Sequence, residues 1–282
     1  ATMDEAEPVR LADAKAAGQV PRWQDHRRHM EFVYARMMER ARTAIRGVDP
    51  SARVGFDGPF DTNPLSGNDW WRLMQVFDLC NVYCHEPDEW EAVRSFAKPG
   101  TLLGLWYGPY ETAMRTEDYN RLFPWRALFT GYNSVWWYAV YHGLSVCPMD
   151  ALTPSMTWYP YLTATVEELR EIKGGVGKAL MHAERQSDGI AVHYSQSSLH
   201  AAAAYAGAGQ LVHVWRQWYS LIEDVGLQYN CLAYAQIEKD GVDTGRFRAL
   251  ILPFSQAVSP REAEAIRAFA NAGGVVIADL RP

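Results

Sequence analysis

The stretch Thr101 to Gly143 constrains the fold more than any other part of the chain. Thr101–Tyr107 and Ser134–Val140 are short apolar runs rich in aromatic residues, and a helical pattern over about Asp118–Thr130 lies between them. Strand, helix and strand make a βαβ unit. Its right-handed crossover puts both strands in one sheet, with their C-terminal ends at the same edge. That edge would carry Trp106, Tyr107, Tyr110, Glu111, Trp136, Trp137, Tyr138 and Tyr141. Aromatic rings stack on the apolar faces of sugars, and a Glu among them can act as acid, base or nucleophile. For any single Trp, core filling is the competing reading.

The same unit recurs upstream. Trp23 and Asp25 open a long helix ended by Gly47 and Asp49-Pro50, with apolar positions Phe32, Val33, Met37, Ala41, Ala44 and Ile45. A strand over Ala52–Phe56 follows, closing on Asp57-Gly58-Pro59. Asp69 caps a helix through Phe77, Leu79–Cys84 is a strand, and a helix covers about Asp88–Phe96. After the central stretch comes a loop, Cys147–Pro154, and a helix from about Thr165 to Arg185. The pattern is β then α, four times, with polar or aromatic residues at each strand's C-terminal end: Asp57, then Tyr83 to Glu86, then Trp106 to Glu111, then Trp136 to Tyr141. This is the pattern of one half of a (β/α)8 TIM barrel, whose active sites lie at that face. An open four-stranded doubly wound sheet is the alternative. A half barrel has open edges, so the remaining strands are expected upstream or in a partner chain.

Near Asp188 the character changes. Gly189–Tyr194 is a fresh strand, Leu211–Val225 a helix with Trp215, Trp218, Tyr219 and Ile222 as its stripe, and Arg248–Pro253 a buried strand. Ser259-Pro260-Arg261-Glu262 combines an N-cap Ser, a Pro in the first turn and a capping-box Glu. That helix ends at Gly273-Gly274, before a last strand, Val275–Ala278. Residues 186–282 thus read as the beginning of a flavodoxin-like α/β domain, of the class I glutamine amidotransferase type, following a half barrel over 1–185. No nucleophile elbow and no phosphate-binding Gly-rich loop occurs in it.

Composition limits the partners. A chain of 282 residues exceeds one ordinary core. Net charge of −6 gives no basic footprint for nucleic acid. Eleven Trp and fifteen Tyr exceed what a generic α/β core needs, which points towards carbohydrate. Cys80, Cys84, Cys147 and Cys231 lack zinc spacing. Cys80 and Cys84 would stand about 13 Å apart in one strand, too far for a disulfide, and all four read as thiols. No metal and no cofactor is expected. No apolar run of 18 residues is present, so no membrane span is expected, and compartment is not legible. The chain opens on Ala1 and stops at Pro282 just after a strand, and both ends read as cuts from something larger.

The segment ALILPFSQAVSPREAEAIRAFANAGGVVIADLRP resembles the trimerisation domain of family 42 glycoside hydrolases, the β-galactosidase-like enzymes. Upstream, WQDHRRHMEFVYARM, DPSARVGFDG, NDWWRLM and PWRALFTGYNSVWWY are similar to the second half of the catalytic barrel in distant relatives. The resemblance runs from about Trp23 to Pro282. It implies a retaining mechanism on a β-linked saccharide, an acid/base Glu after an Asn at the fourth strand, and a nucleophile Glu at the end of the seventh. No Asn-Glu pair occurs in the sequence, so the acid/base is expected before residue 1. The seventh strand would be Thr101–Tyr107, where the nucleophile position falls near Trp106 and the nearest carboxylate is Glu111, beyond Gly108-Pro109. Either that loop returns Glu111 to the site or the nucleophile is lost. Glu86 is the second catalytic candidate. Asp57, Tyr83, His85, Trp106, Tyr107, Trp136, Trp137 and Asp150 are the candidate substrate-binding residues. The implied partners are an oligo- or polysaccharide and either a homotrimer or a chain supplying the other barrel half. The alternative is a non-catalytic carbohydrate-binding relative that kept the aromatic cleft.

Overall fold

A computed structural model of the protein describes residues 9–59, 62–83, 87–108, 112–138, 141 and 150–279. The chain builds two four-stranded parallel sheets. The first has strand order β1 (Gly55–Pro59), β2 (Leu79–Tyr83), β3 (Leu102–Tyr107) and β4 (Ser134–Trp137). In the second the order is β6 (Tyr229–Ala233), β5 (Ile190–Tyr194), β7 (Ala249–Leu252) and β8 (Val275–Ala278). A short helix α1 (Leu11–Ala16) and the long α2 (Val20–Val48) precede β1. Helices α3 (Trp70–Val76), α4 (Pro87–Phe96) and α5 (Glu117–Thr130) connect the strands of the first sheet.

Local signals set most of these elements. Asp69 caps α3 by accepting from Arg72 N, and Ser259 with Glu262 forms the capping box of α11 (Pro260–Asn271). α5 carries Pro124 inside it, which removes the donor that Asn120 O would receive. Thr165 Oγ1 donates to that oxygen instead, at 3.2 Å, from α6 (Pro160–Glu171), so the defect becomes a helix–helix contact.

Several expectations are corrected. The first strand lies at 55–59 rather than 52–56, because pairing with β2 outweighs the poor strand propensity of Gly-Phe-Asp-Gly-Pro. Ser134–Val140 is shortened to a strand ending at Trp137. The helix expected from Thr165 starts at Pro160 and passes through a π-helical turn, Ile172–Val176, where Gly175 has φ 142°. It resumes as α7 (Gly177–His182). The apolar positions Phe32, Val33, Met37 and Ile45 of α2 are exposed, while Val20, Trp23, Glu31 and Ala35 are buried. The cause is polar: Glu31 accepts from His200 Nε2 at 2.9 Å and Gln196 Nε2 at 3.1 Å, so the inward face of α2 is set by α8 (Gln196–Tyr205).

One apolar cluster runs through both sheets. Trp70, Phe77, Trp90, Leu105 and Phe123 join Val192, Tyr194, Trp215 and Tyr219, the last two from α9 (Ala208–Asp224), and Phe96 meets Tyr194 edge-on at 5.0 Å. Polar clasps lock the seam. Buried Glu91 receives Arg94 and, at 3.0 Å, Arg185 Nη1, and Arg94 Nη2 also donates to Asn230 Oδ1 at 3.0 Å. Tyr234, at the start of α10 (Tyr234–Asp240), donates to Asp69 at 2.6 Å.

Candidate functional site

The parallel register decides which strand-end side chains share a face. Asp57, Asn81, Gly104 and Ser134 are level across the four strands, and Trp106 is level with Trp136 one pleat further on. These residues occupy the face away from the helices, and Tyr83 lies with them. The intervening residues Phe56, Cys80, Val82, Leu103, Leu105, Tyr107, Val135 and Trp137 belong to the helix-side core.

On the open face Asn81 Nδ2 donates to Asp57 Oδ1 at 2.9 Å. Asp57 is exposed, whereas Asn81 is buried and its Oδ1 has no partner. The Trp136 indole N–H donates to Ser134 Oγ at 3.0 Å, and Ser134 donates in turn to Leu103 O at 3.2 Å. A Cβ at Gly104 would stand 2.8 Å from Asn81 Oδ1 and 2.9 Å from both Ser134 Oγ and Trp136 Nε1, so only glycine lets this polar floor close. Above it, Tyr83 packs on Trp106 with ring centroids 3.7 Å apart, and Tyr138 stacks on Trp106 at 4.7 Å and 23°. Trp106 is therefore a buried member of an aromatic column, while Trp136, 45% exposed, and Tyr138 present open ring surface. Burial, then Asp57 and Tyr138, push the Tyr83 hydroxyl above its usual pKa. Burial, with Asp57, pushes the Cys80 thiol up to about 12 and keeps it protonated.

The structure brings together Asp57, Tyr83, Trp106 and Trp136 of the candidates read from sequence. It places Tyr107 and Trp137 on the other face. Tyr107 is buried and donates to Met114 O at 2.7 Å, and Trp137 packs 6.3 Å from it, because consecutive strand residues point to opposite sides. Asp150 is buried, and its charge acts on Tyr161 of α6. Glu111, Glu86 and His85 lie outside the described residues. Asn81, Gly104 and Ser134 were not among the residues singled out. A polar Asn inside the buried run Leu-Cys-Asn-Val-Tyr was the available signal. Among the described residues, no group of three or more His, Cys, Asp or Glu could hold a metal ion, and no helix is long and apolar enough to cross a membrane.

Gly104→Ala is expected to tilt Trp136 off Ser134 and to cost about 1–3 kcal/mol, as overpacking does. Urea unfolding reads the loss and the Trp emission maximum reads the displaced indole; wild-type values for both would refute the tight floor.

No protein-family model matches the sequence, and no curated protein sequence matches it. Solved structures do share the fold. The β-galactosidase from Bacillus circulans sp. alkalophilus superposes with a TM-score of 0.74 at 16% identity, over 90% of this chain and 39% of that one. The exo-carrageenase of family 42 from Bacteroides ovatus gives 0.69 at 14%, over 92% and 39%. A family 42 β-galactosidase from G. stearothermophilus gives 0.66 at 13%, over 83% and 38%. The chain resembles family 42 β-galactosidases in fold and spans about two fifths of the length of these structures.

Proposed function

We propose that this chain is the cleft-bearing C-terminal half of a (β/α)8 barrel in a retaining, β-galactosidase-like glycosidase. In this reading residues 1–185 are the half barrel and 186–282 a flavodoxin-like domain of the trimerisation type. The outer strands β1 and β4 are the edges at which the other half docks, brought by the same polypeptide or by a partner. The acid/base comes from that half, and Glu111, with Glu86 as second candidate, is the nucleophile. Trp136 is the sugar platform, and Asp57 and Tyr83 are the polar groups beside it. The observation that carries the reading is the superposition of nine tenths of the chain on β-galactosidases, together with a polar row across the sheet and, one pleat nearer the strands' C-terminal ends, the aromatic residues Tyr83, Trp106 and Trp136.

A second reading, a carbohydrate-binding protein without hydrolysis, is favoured by one feature. The position where the resemblance expects the nucleophile holds Trp106, with rings on both sides of it. Turnover of an aryl β-galactoside by the barrel-complete protein decides between them. Release of the aryl alcohol supports the glycosidase; sugar binding without release supports the binding protein.

A further inference from the structure

We propose that the cleft selects by charge, accepting a neutral sugar or, more tightly, an amino sugar whose ammonium pairs with Asp57, and rejecting sulfated or carboxylated sugars. This rests on the saccharide reading above and adds the charge class of the ligand.

The floor is rich in acceptors and poor in donors. Ser134 commits its hydrogen to Leu103 O, Trp136 commits its indole N–H to Ser134, and the Asn81 amide nitrogen is turned to Asp57. What remains is the exposed Asp57 carboxylate, with the unpartnered Asn81 Oδ1 buried behind it and the Tyr83 hydroxyl on the same face. The carboxylate accepts hydrogen bonds and offers none, so a ligand group set against Asp57 must be a donor. Among the described residues no cation pairs with Asp57, and strands β1 to β4 contain no Lys, Arg or His. An anionic substituent would face this charge unpaired. An ammonium would gain it, together with the faces of the neighbouring rings, which attract cations.

Asp57 is solvent-exposed, so the pairing is worth what exposed ion pairs are worth, about two- to five-fold in affinity. Titrations at pH 6 and low salt, followed by Trp emission, should rank galactosamine about two- to five-fold tighter than galactose, and galactose 6-sulfate weaker than galactose by a similar factor. Added salt should narrow the spread. Asp57→Asn, which keeps an oxygen for Asn81 Nδ2, should collapse it. Galactose binding with no charge preference, or an order unchanged in Asp57→Asn, overturns the selectivity and leaves the saccharide reading standing. Failure of all three sugars to bind overturns both.

Discussion

Glu262→Ala is expected to destabilise the protein by about 2–4 kcal/mol, roughly 1–3 for a buried donor left without a partner and about 1 for an opened helix cap. His193, at the end of β5, is fully buried, with Nε2 2.9 Å from Glu262 Oε1 and Nδ1 3.0 Å from Ser255 Oγ. With a carboxylate on one side, Nε2 carries the hydrogen and Nδ1 accepts from the Ser255 hydroxyl. The second carboxylate oxygen accepts from Ser259 N at 2.8 Å and closes the cap of α11. One side chain thus ties β5, the turn after β7 and the start of α11. Truncation leaves an imidazole N–H without a partner in the core and opens the cap.

The pair also sets an acid limit. Burial raises the Glu262 pKa, but the bond from His193 and those from Ser259 outweigh it and hold the carboxyl below its ordinary value of 4.5. A depressed folded pKa gives stability that is complete above the unfolded value and is lost as pH falls through the folded one. The stability that ionised Glu262 contributes, measured by urea unfolding as wild type against Glu262→Gln, should shrink as pH falls below about 5. His193→Ala should cost less in the Glu262→Ala background than alone. Additive losses, or a difference that grows on acidification, would contradict this account.

The elements legible in the sequence are those whose signals are local. The Asp69 cap of α3, the Ser259–Glu262 box of α11 and the apolar runs of β2 and β3 needed no partner to be recognised. Helix α8 is not legible in the sequence because Gln-Ser-Ser-Leu-His-Ala-Ala-Ala-Ala is buried nearly all round and has no amphipathic stripe. The exposed apolar stripe of α2 misled for the opposite reason, since its inward face is fixed by Glu31 meeting His200, 169 residues away in sequence. Within the site, strand alternation alone allows only one of Trp106 and Tyr107, and one of Trp136 and Trp137, to face the cleft. Which one does so depends on which side the helices cover. The register that aligns Asp57, Asn81, Gly104 and Ser134 required the sheet itself.

Glu111→Gln is expected to lower turnover of aryl β-galactosides by on the order of 10³-fold or more, the scale on which loss of a catalytic carboxyl is felt. A retaining mechanism needs two carboxyls about 5–5.5 Å apart, so the nucleophile must sit on the cleft edge formed by the strands' C-terminal ends. Asp57 lies in the middle of β1, whereas in the sequence Glu86 follows β2 and Glu111 follows β3. By the resemblance these are the fifth, sixth and seventh barrel strands, and the seventh carries the nucleophile. Asp57 is anchored by Asn81 and open to solvent, an environment for a ligand contact more than for an attacking group, so Asp57→Asn should act mainly on KM. Glu86→Gln should cost far less than Glu111→Gln. A covalent intermediate makes the sharper test: Glu111→Gly should regain turnover with added azide and yield the α-glycosyl azide, because the small anion fills the space of the missing nucleophile on the face it attacked. If Glu111→Gln stays near wild-type turnover while Glu86→Gln is dead, the nucleophile belongs to β2. If wild type binds galactosides and all three variants share its lack of turnover, the protein holds sugars without cleaving them.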